Sequence, residues 1–368
     1  MRQGLKSVAL MIVATVVLFV LVEGTASTAF AAHAFVRYRD LFMATEQSHT
    51  QYDSLLGWAS RPNLYLPDLY GKGVYLRTNA QGLRADHEYA AAVPPGRTRV
   101  ICSGDSFTLG HDVSNDDAWC AKLERMDPRL ETVNMGQAAY GVDQAYLWYA
   151  RDGGRLAHDV QLFAFITSDF DRLRSDNFGG IPKPYLRVEH GALRVENTPV
   201  PAWVKPSEMR GRIRAAVRSL RSIALLRSLV SHGDTGSARE APMRLSVDEA
   251  RVVAARVFDA LARLNAERGS TLVLVYLPKA LDSSNRSADP WREFVHAQAA
   301  RLGVPLIDLV EDYRKIPAFE GEAMFTNPFH PSHYDPRGNA WAATLIHDRL
   351  VGLSAVKAKL AAREAPAP

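Results

Sequence analysis

Cysteine is nearly absent: two residues, Cys102 and Cys120, in a chain of 368. That excludes a small disulfide-dense scaffold. A strong charge of either sign is missing too. The 44 Lys+Arg and 40 Asp+Glu leave a formal net charge of +4, and no RNA- or DNA-binding motif is present, so nucleic acid is not an expected partner. No third histidine or cysteine stands at a ligand spacing near His330, His333 and Asp335, so neither a metal nor another cofactor is expected. What remains is an ordinary globular composition, 47% hydrophobic and 23% charged, enough for a substantial core.

One apolar run stands out, from Val8 to Val22, with Arg2 and Lys6 before it. It is long for a signal h-region and short for a full span, but the small residues from Gly24 to Ala34 extend it past Glu23. The reading is an uncleaved signal anchor over 1–34, basic end inside, which would make the membrane a partner through this helix. Ala29-Phe30-Ala31 offers a cleavage site, in which case the product is soluble and exported. Either way the body works outside the cytosol, in the periplasm or beyond. There Cys102, at a strand end, can pair with Cys120 in the following helix. Such a short loop would contribute about 3 kcal/mol; two buried free thiols are the alternative.

Residues 35–95 are rich in turn formers and aromatics, including Thr78-Asn79-Ala80-Gln81-Gly82-Leu83-Arg84, and read as an irregular lead-in packed on the domain that follows. Apolar runs at Arg99–Ser103, Glu131–Met135, Gln161–Ile166, Thr271–Leu277 and Val304–Leu309 predict five strands. Amphipathic stretches such as Asp143–Ala157 and Ser246–Arg268 lie between them. Buried strand runs alternating with such helices predict a three-layer α/β/α sandwich around a parallel sheet over 96–356.

An insertion at about 172–244 follows the third strand. It carries a hairpin pattern, Leu186-Arg187-Val188 and Leu193-Arg194-Val195 about the turn Glu189-His190-Gly191. Arg210, Arg214, Arg218 and Arg221 share one helical face, and Ser231–Ala241 reads as a linker. Residues 357–368 read as a flexible tail.

The chemistry points to Gly104-Asp105-Ser106-Phe107-Thr108-Leu109-Gly110. A serine here ends a strand and starts a helix, where the ligand crevice of a parallel sheet lies. Its hydroxyl is a poor nucleophile without a base to take the proton. The candidate base lies late in the chain, in His333-Tyr334-Asp335-Pro336-Arg337-Gly338-Asn339. No Gly-x-Ser-x-Gly elbow occurs anywhere, which argues against the α/β-hydrolase fold.

These two stretches, with Asn134-Met135-Gly136 between them, resemble the signature blocks of the GDSL/SGNH hydrolase family, over about 53–353. The resemblance implies a flavodoxin-like sheet and a serine esterase or acyltransferase. Its substrate would be a small ester or an acylated carbohydrate, such as acetyl groups on envelope glycan. It implies Ser106 as nucleophile and His333 as base, with His330 the other histidine to weigh. It also implies an oxyanion hole from the N–H groups of Ser106 and Gly136, with Ser168 standing where the family has asparagine. Asp105, Asp169 and Arg337, beside these blocks, are expected substrate contacts, although Asp105 suits a helix cap equally well. The family's orienting aspartate, two or three residues before the base, is replaced here by His330 and Pro331. The partner of the base is therefore His330, a backbone carbonyl or a distant carboxylate.

Overall fold

The computed structural model describes residues 2–37, 48–202, 243–286, 288–326 and 333–364. The chain divides into two units, one formed by 1–44 with 203–240 and the other by 45–202 with 241–368. Of the first unit, the described part is a helix, α1 (Arg2–Arg37). Its Leu10–Ser27 segment has a mean hydropathy of 2.2. By length and composition that suits a membrane span or a signal sequence alike.

The second unit is built on five parallel strands: β1 (Thr98–Gly104), β2 (Leu130–Gly136), β3 (Val160–Phe165), β4 (Thr271–Tyr276) and β5 (Leu306–Asp308). Their order in the sheet is β2-β1-β3-β4-β5. The chain therefore reverses direction between β1 and β3, the switch point outside which ligands bind in open α/β sheets. In β1, β2 and β3 every residue is buried, because helices cover both faces and leave no side for water. All five strands fall on the apolar runs read from the sequence, β5 shortened to three residues.

The helices show why they form. In α6 (Val247–Glu267) Ser246 caps the start and Glu249 returns the bond to the Ser246 N–H at 2.8 Å. Its buried Ala250, Val253, Ala254, Val257, Phe258 and Leu261 trace one face at a 3–4 residue spacing. α8 (Pro336–Gly352) starts at Asp335, whose carboxylate accepts the Arg337 and Gly338 N–H groups, both at 2.8 Å, with proline in the first turn. Three further helices matter for the site: α2 (Ser106–Leu109), α3 (Trp119–Met126) and α5 (Thr167–Arg172). Between β2 and β3 runs α4 (Val142–Asp152), and α7 (Asp289–Leu302) precedes β5.

Residues 354–364, partly read as a flexible tail, form a helix, α9 (Ser354–Glu364). It buries Val356 and Leu360, and that apolar pair is the reason it stays on the body. The insertion's hairpin is present as Tyr185–Glu189 against Ala192–Glu196. Its arginine face and its linker lie outside the described residues.

The lead-in is two short hairpins, Thr50–Asp53 with Gly57–Ser60 and Tyr65–Leu66 with Leu76–Arg77. It packs on the segment after β2. Trp58 Nε1 donates to the Ala138 carbonyl at 3.0 Å and Ser60 Oγ to Gln137 Oε1 at 2.7 Å. In return the Tyr140 hydroxyl donates to the Trp58 carbonyl at 2.5 Å.

Candidate active site

Ser106 is the first residue of α2, directly after β1, and Asp105 is its N-cap. Two late elements bring the histidine to it. Phe325 and Tyr334 form an antiparallel bridge, and the Thr326 N–H donates to the His333 carbonyl at 3.0 Å. The buried Tyr334 donates its hydroxyl to the Pro278 carbonyl at 2.7 Å. One residue on, the Asp335 cap starts α8, and Asn339 Oδ1 on that helix accepts the Trp119 N–H of α3 at 3.0 Å. His333 is thus fixed from both sides.

The result is a short contact. His333 Nε2 lies 2.8 Å from Ser106 Oγ, within hydrogen-bond reach of a base for a nucleophile. The other ring nitrogen, Nδ1, lies 3.3 Å from Asp112 Oδ2. Asp112 also receives the Thr326 hydroxyl at 3.0 Å, and its second oxygen is 2.7 Å from His111 Nδ1. One carboxylate is therefore shared by two imidazoles whose ring centres are 4.3 Å apart. Phe107 packs against His333 with centroids at 5.1 Å.

The electrostatics favour a neutral base. Burial depresses the His333 pKa and neighbouring His111 depresses it further, against the pull of Asp112. Burial alone would raise Asp112, but the two imidazoles outweigh it and hold the carboxyl well below the usual carboxylate range. A neutral imidazole facing a hydroxyl, backed by an ionised carboxylate, can accept a proton and stabilise the imidazolium that forms.

Sequence reasoning left the partner of His333 open among three choices. The structure places a distant carboxylate there, Asp112. The signal available was His111-Asp112, two titratable residues just past the glycine that ends the serine block. His330 and Pro331 lie outside the described residues. His111, Asp112 and His333 also place one ligand atom each within 4.8 Å of one another, the one such trio among the described residues and a spacing that suits a metal ion.

Other expected site residues make specific contacts of their own. Gly136 donates its N–H to Asn134 Oδ1 at 2.9 Å rather than presenting it to an oxyanion. Its lack of a side chain serves a close approach, since a Cβ would lie 2.1 Å from the Leu109 nitrogen. Ser168 Oγ accepts Lys279 Nζ at 3.0 Å, because β4 ends beside α5 and brings a lysine to it. Asp105 and Asp169 are buried, 1% and 2% exposed. Asp105 accepts the Phe107 N–H, and Arg172 Nη1 bridges the two acids at 3.2 and 2.6 Å. Burial raises Asp169 well above its usual value, and the Asp105 charge raises it further. Arg337 turns its exposed guanidinium back onto Asp335 and the Ala323 carbonyl.

The disulfide is absent as well. Cys102 and Cys120 are free and buried, in mutual hydrogen-bond contact. Burial pushes the Cys102 thiol well up. In the loop after β2, Ala139 has φ +63, a left-handed conformation unusual for a residue with a side chain.

No protein-family model and no curated protein matches the chain. Among solved structures it is similar to a member of the lipolytic protein G-D-S-L family from Veillonella parvula. That match has 14% identity and a TM-score of 0.39, covering 70% of this chain and 100% of the other. A lipase/acylhydrolase from Enterococcus faecalis matches at 11% identity and a TM-score of 0.40, covering 69% and 96%. An acetyl xylan esterase matches at 13% and 0.40, covering 68% and 99%.

Proposed function

We propose that the chain is an SGNH-type serine ester hydrolase, anchored in a membrane by α1 with its body on the outer side. The observation that carries this reading is the 2.8 Å contact between Ser106 Oγ and His333 Nε2 at the crevice end of the sheet. Ser106 Oγ attacks the ester carbonyl carbon as its proton passes to His333 Nε2. The Ser106 N–H, at a helix start where amides lack helical partners, faces the oxyanion. The C–O bond to the alcohol then breaks, and the alcohol leaves with the proton from Nε2. Water attacks the acyl-serine, gives its proton to Nε2, and the acid departs as Ser106 recovers its hydrogen. With a sugar hydroxyl in place of water the same steps transfer the acyl group. The substrates in view are small O-acyl esters, acetyl groups on envelope carbohydrate first among them.

The test is hydrolysis of p-nitrophenyl acetate and labelling by a fluorophosphonate probe. Both are expected in the wild-type protein, and loss of both in Ser106→Ala and His333→Ala. A wild type no faster than Ser106→Ala sinks the reading.

One observation favours a second reading, a protein that binds carbohydrate without turnover. One of its three expected oxyanion donors, the Gly136 N–H, is engaged elsewhere. That reading expects glycan binding unchanged by Ser106→Ala, with no ester cleavage in either protein.

A further inference from the structure

Arg84 comes from the lead-in, in the Thr78–Arg84 stretch that the catalytic groups leave unused. Its guanidinium is buried, the residue being 5% exposed, and its bonds run to neutral oxygens. Nη1 donates to the Leu109 and Gly110 carbonyls at 2.6 and 2.5 Å, Nη2 to the Val113 carbonyl at 2.5 Å, and Nε to Asn115 Oδ1 at 2.8 Å. These acceptors flank His111 and Asp112 on both sides.

The loop they belong to needs such a hold. Gly110 and Asp112 both sit at left-handed φ, +82 and +69, and only the first is a glycine. A short loop with such turns has several alternative paths, and few of them place Asp112 against His333. Four donors in a rigid planar fork select one path. The arginine itself is held by a tight turn, in which Asn79 Oδ1 accepts the Gln81 and Leu83 N–H groups at 3.0 Å.

We propose that Arg84 is a positioning residue for ester hydrolysis, fixing the 109–115 loop so that Asp112 meets His333. The proposal rests on the reading of Ser106, His333 and Asp112 given above. Lysine keeps the charge but not the fork, so Arg84→Lys lets the loop wander while leaving a cation in place.

The experiment uses the full chain in detergent and p-nitrophenyl acetate. Arg84→Lys is expected to lower kcat up to about 100-fold with KM little changed, the size of loss a misplacement of about 1 Å can bring. Its pH profile is expected to move with that of Asp112→Asn. The double variant Arg84→Lys/Asp112→Asn is expected to be no slower than Asp112→Asn alone, because both changes remove the same contact. If Arg84→Lys does not fold, Asn115→Ala removes one of the four acceptors and is expected to shift kcat the same way by less.

Chemical rescue adds a second readout. A cavity of about 240 Å³ is lined by Arg84 itself with Asn115, Asp86 and Glu124, and Arg84→Ala is expected to recover activity in millimolar guanidinium. Wild-type kinetics in Arg84→Lys overturn the proposal, as do losses that multiply in the double variant or a folded Arg84→Ala that guanidinium leaves inactive. A wild type no faster than Ser106→Ala overturns this proposal and the hydrolase reading together. An active wild type with a silent Ser106→Ala and a normal Arg84→Lys overturns this proposal alone.

Discussion

Asp112 Oδ2 stands 3.3 Å from His333 Nδ1, across 221 positions of chain. In the proposed mechanism, a carboxylate at that nitrogen fixes the tautomer that leaves Nε2 free to take the serine proton. Asp112→Asn is therefore expected to cut kcat by about 100- to 10,000-fold with KM nearly unchanged. Steady-state kinetics on p-nitrophenyl acetate check it, and an unaltered kcat would remove Asp112 from the mechanism.

The pH dependence has a definite sign. His333 must be neutral to act as base, and burial with His111 keeps it neutral below the ordinary histidine value of about 6.5. The acid limb of kcat/KM is expected below that value. His111→Phe removes the neighbouring positive charge and frees Asp112, so the limb is expected to move up. Stability follows the same direction: in acid the unfolded chain takes up protons at both residues before the folded one does. Folding is thus expected to weaken as pH falls below about 6.5, and again as it falls through the depressed Asp112 value. Urea unfolding at several pH values measures this, and a stability flat from neutral pH into acid would contradict it.

Gly136 lets β2 abut α2 without a side chain between them. Alanine there would place a Cβ 2.1 Å from the Leu109 nitrogen and 2.5 Å from the Thr108 carbonyl carbon, both backbone atoms that cannot swing aside. Gly136→Ala is expected to cost about 1–3 kcal/mol of stability and to lower kcat as α2 shifts. Denaturant unfolding beside activity tests both, and an unchanged midpoint counts against the close approach.

The sheet and the serine–histidine pairing were legible in the sequence for a physical reason. Val100-Ile101-Cys102 and Leu272–Leu277 are apolar without interruption, as strands buried on both faces must be. Ser106 carries turn residues on either side, and His333 stands just before an evident helix start. Asp112 was visible as a titratable residue beside the serine block, but its pairing with His333 was not, because tertiary packing fixes it and its loop has no periodicity. The same holds for Asp169, since only folding brings Arg172 between it and Asp105. Gly136 differs: its N–H meets Asn134 two residues back, a local Asx-type bond. The cysteines misled in another way: their spacing permits a bond, but both are free and buried.

Lys183 and Asp143 form a fully buried ion pair at 2.6 Å, and the lysine also donates to the Ser175 and Pro184 carbonyls. Removing one partner strands the other charge, so Lys183→Met is expected to cost about 3–5 kcal/mol. Replacing both, Lys183→Met with Asp143→Leu, is expected to recover much of that loss. Calorimetry of the two variants decides it, and equal losses in the single and the double would argue against a stranded charge.

Cys102 and Cys120 are expected to ignore a thiol reagent in the folded protein. After unfolding in the absence of reductant, two thiols are expected to react. Mass spectrometry after alkylation counts them, and a count of zero would mean the pair is bonded.

Ser106 and His333 are separated by 227 positions, and translation runs from the N-terminus. The hydroxyl leaves the ribosome while its imidazole is still untranslated, so a growing or prematurely ended polypeptide carries no working nucleophile. On the proposed reading, completion of synthesis would itself act as the safety catch.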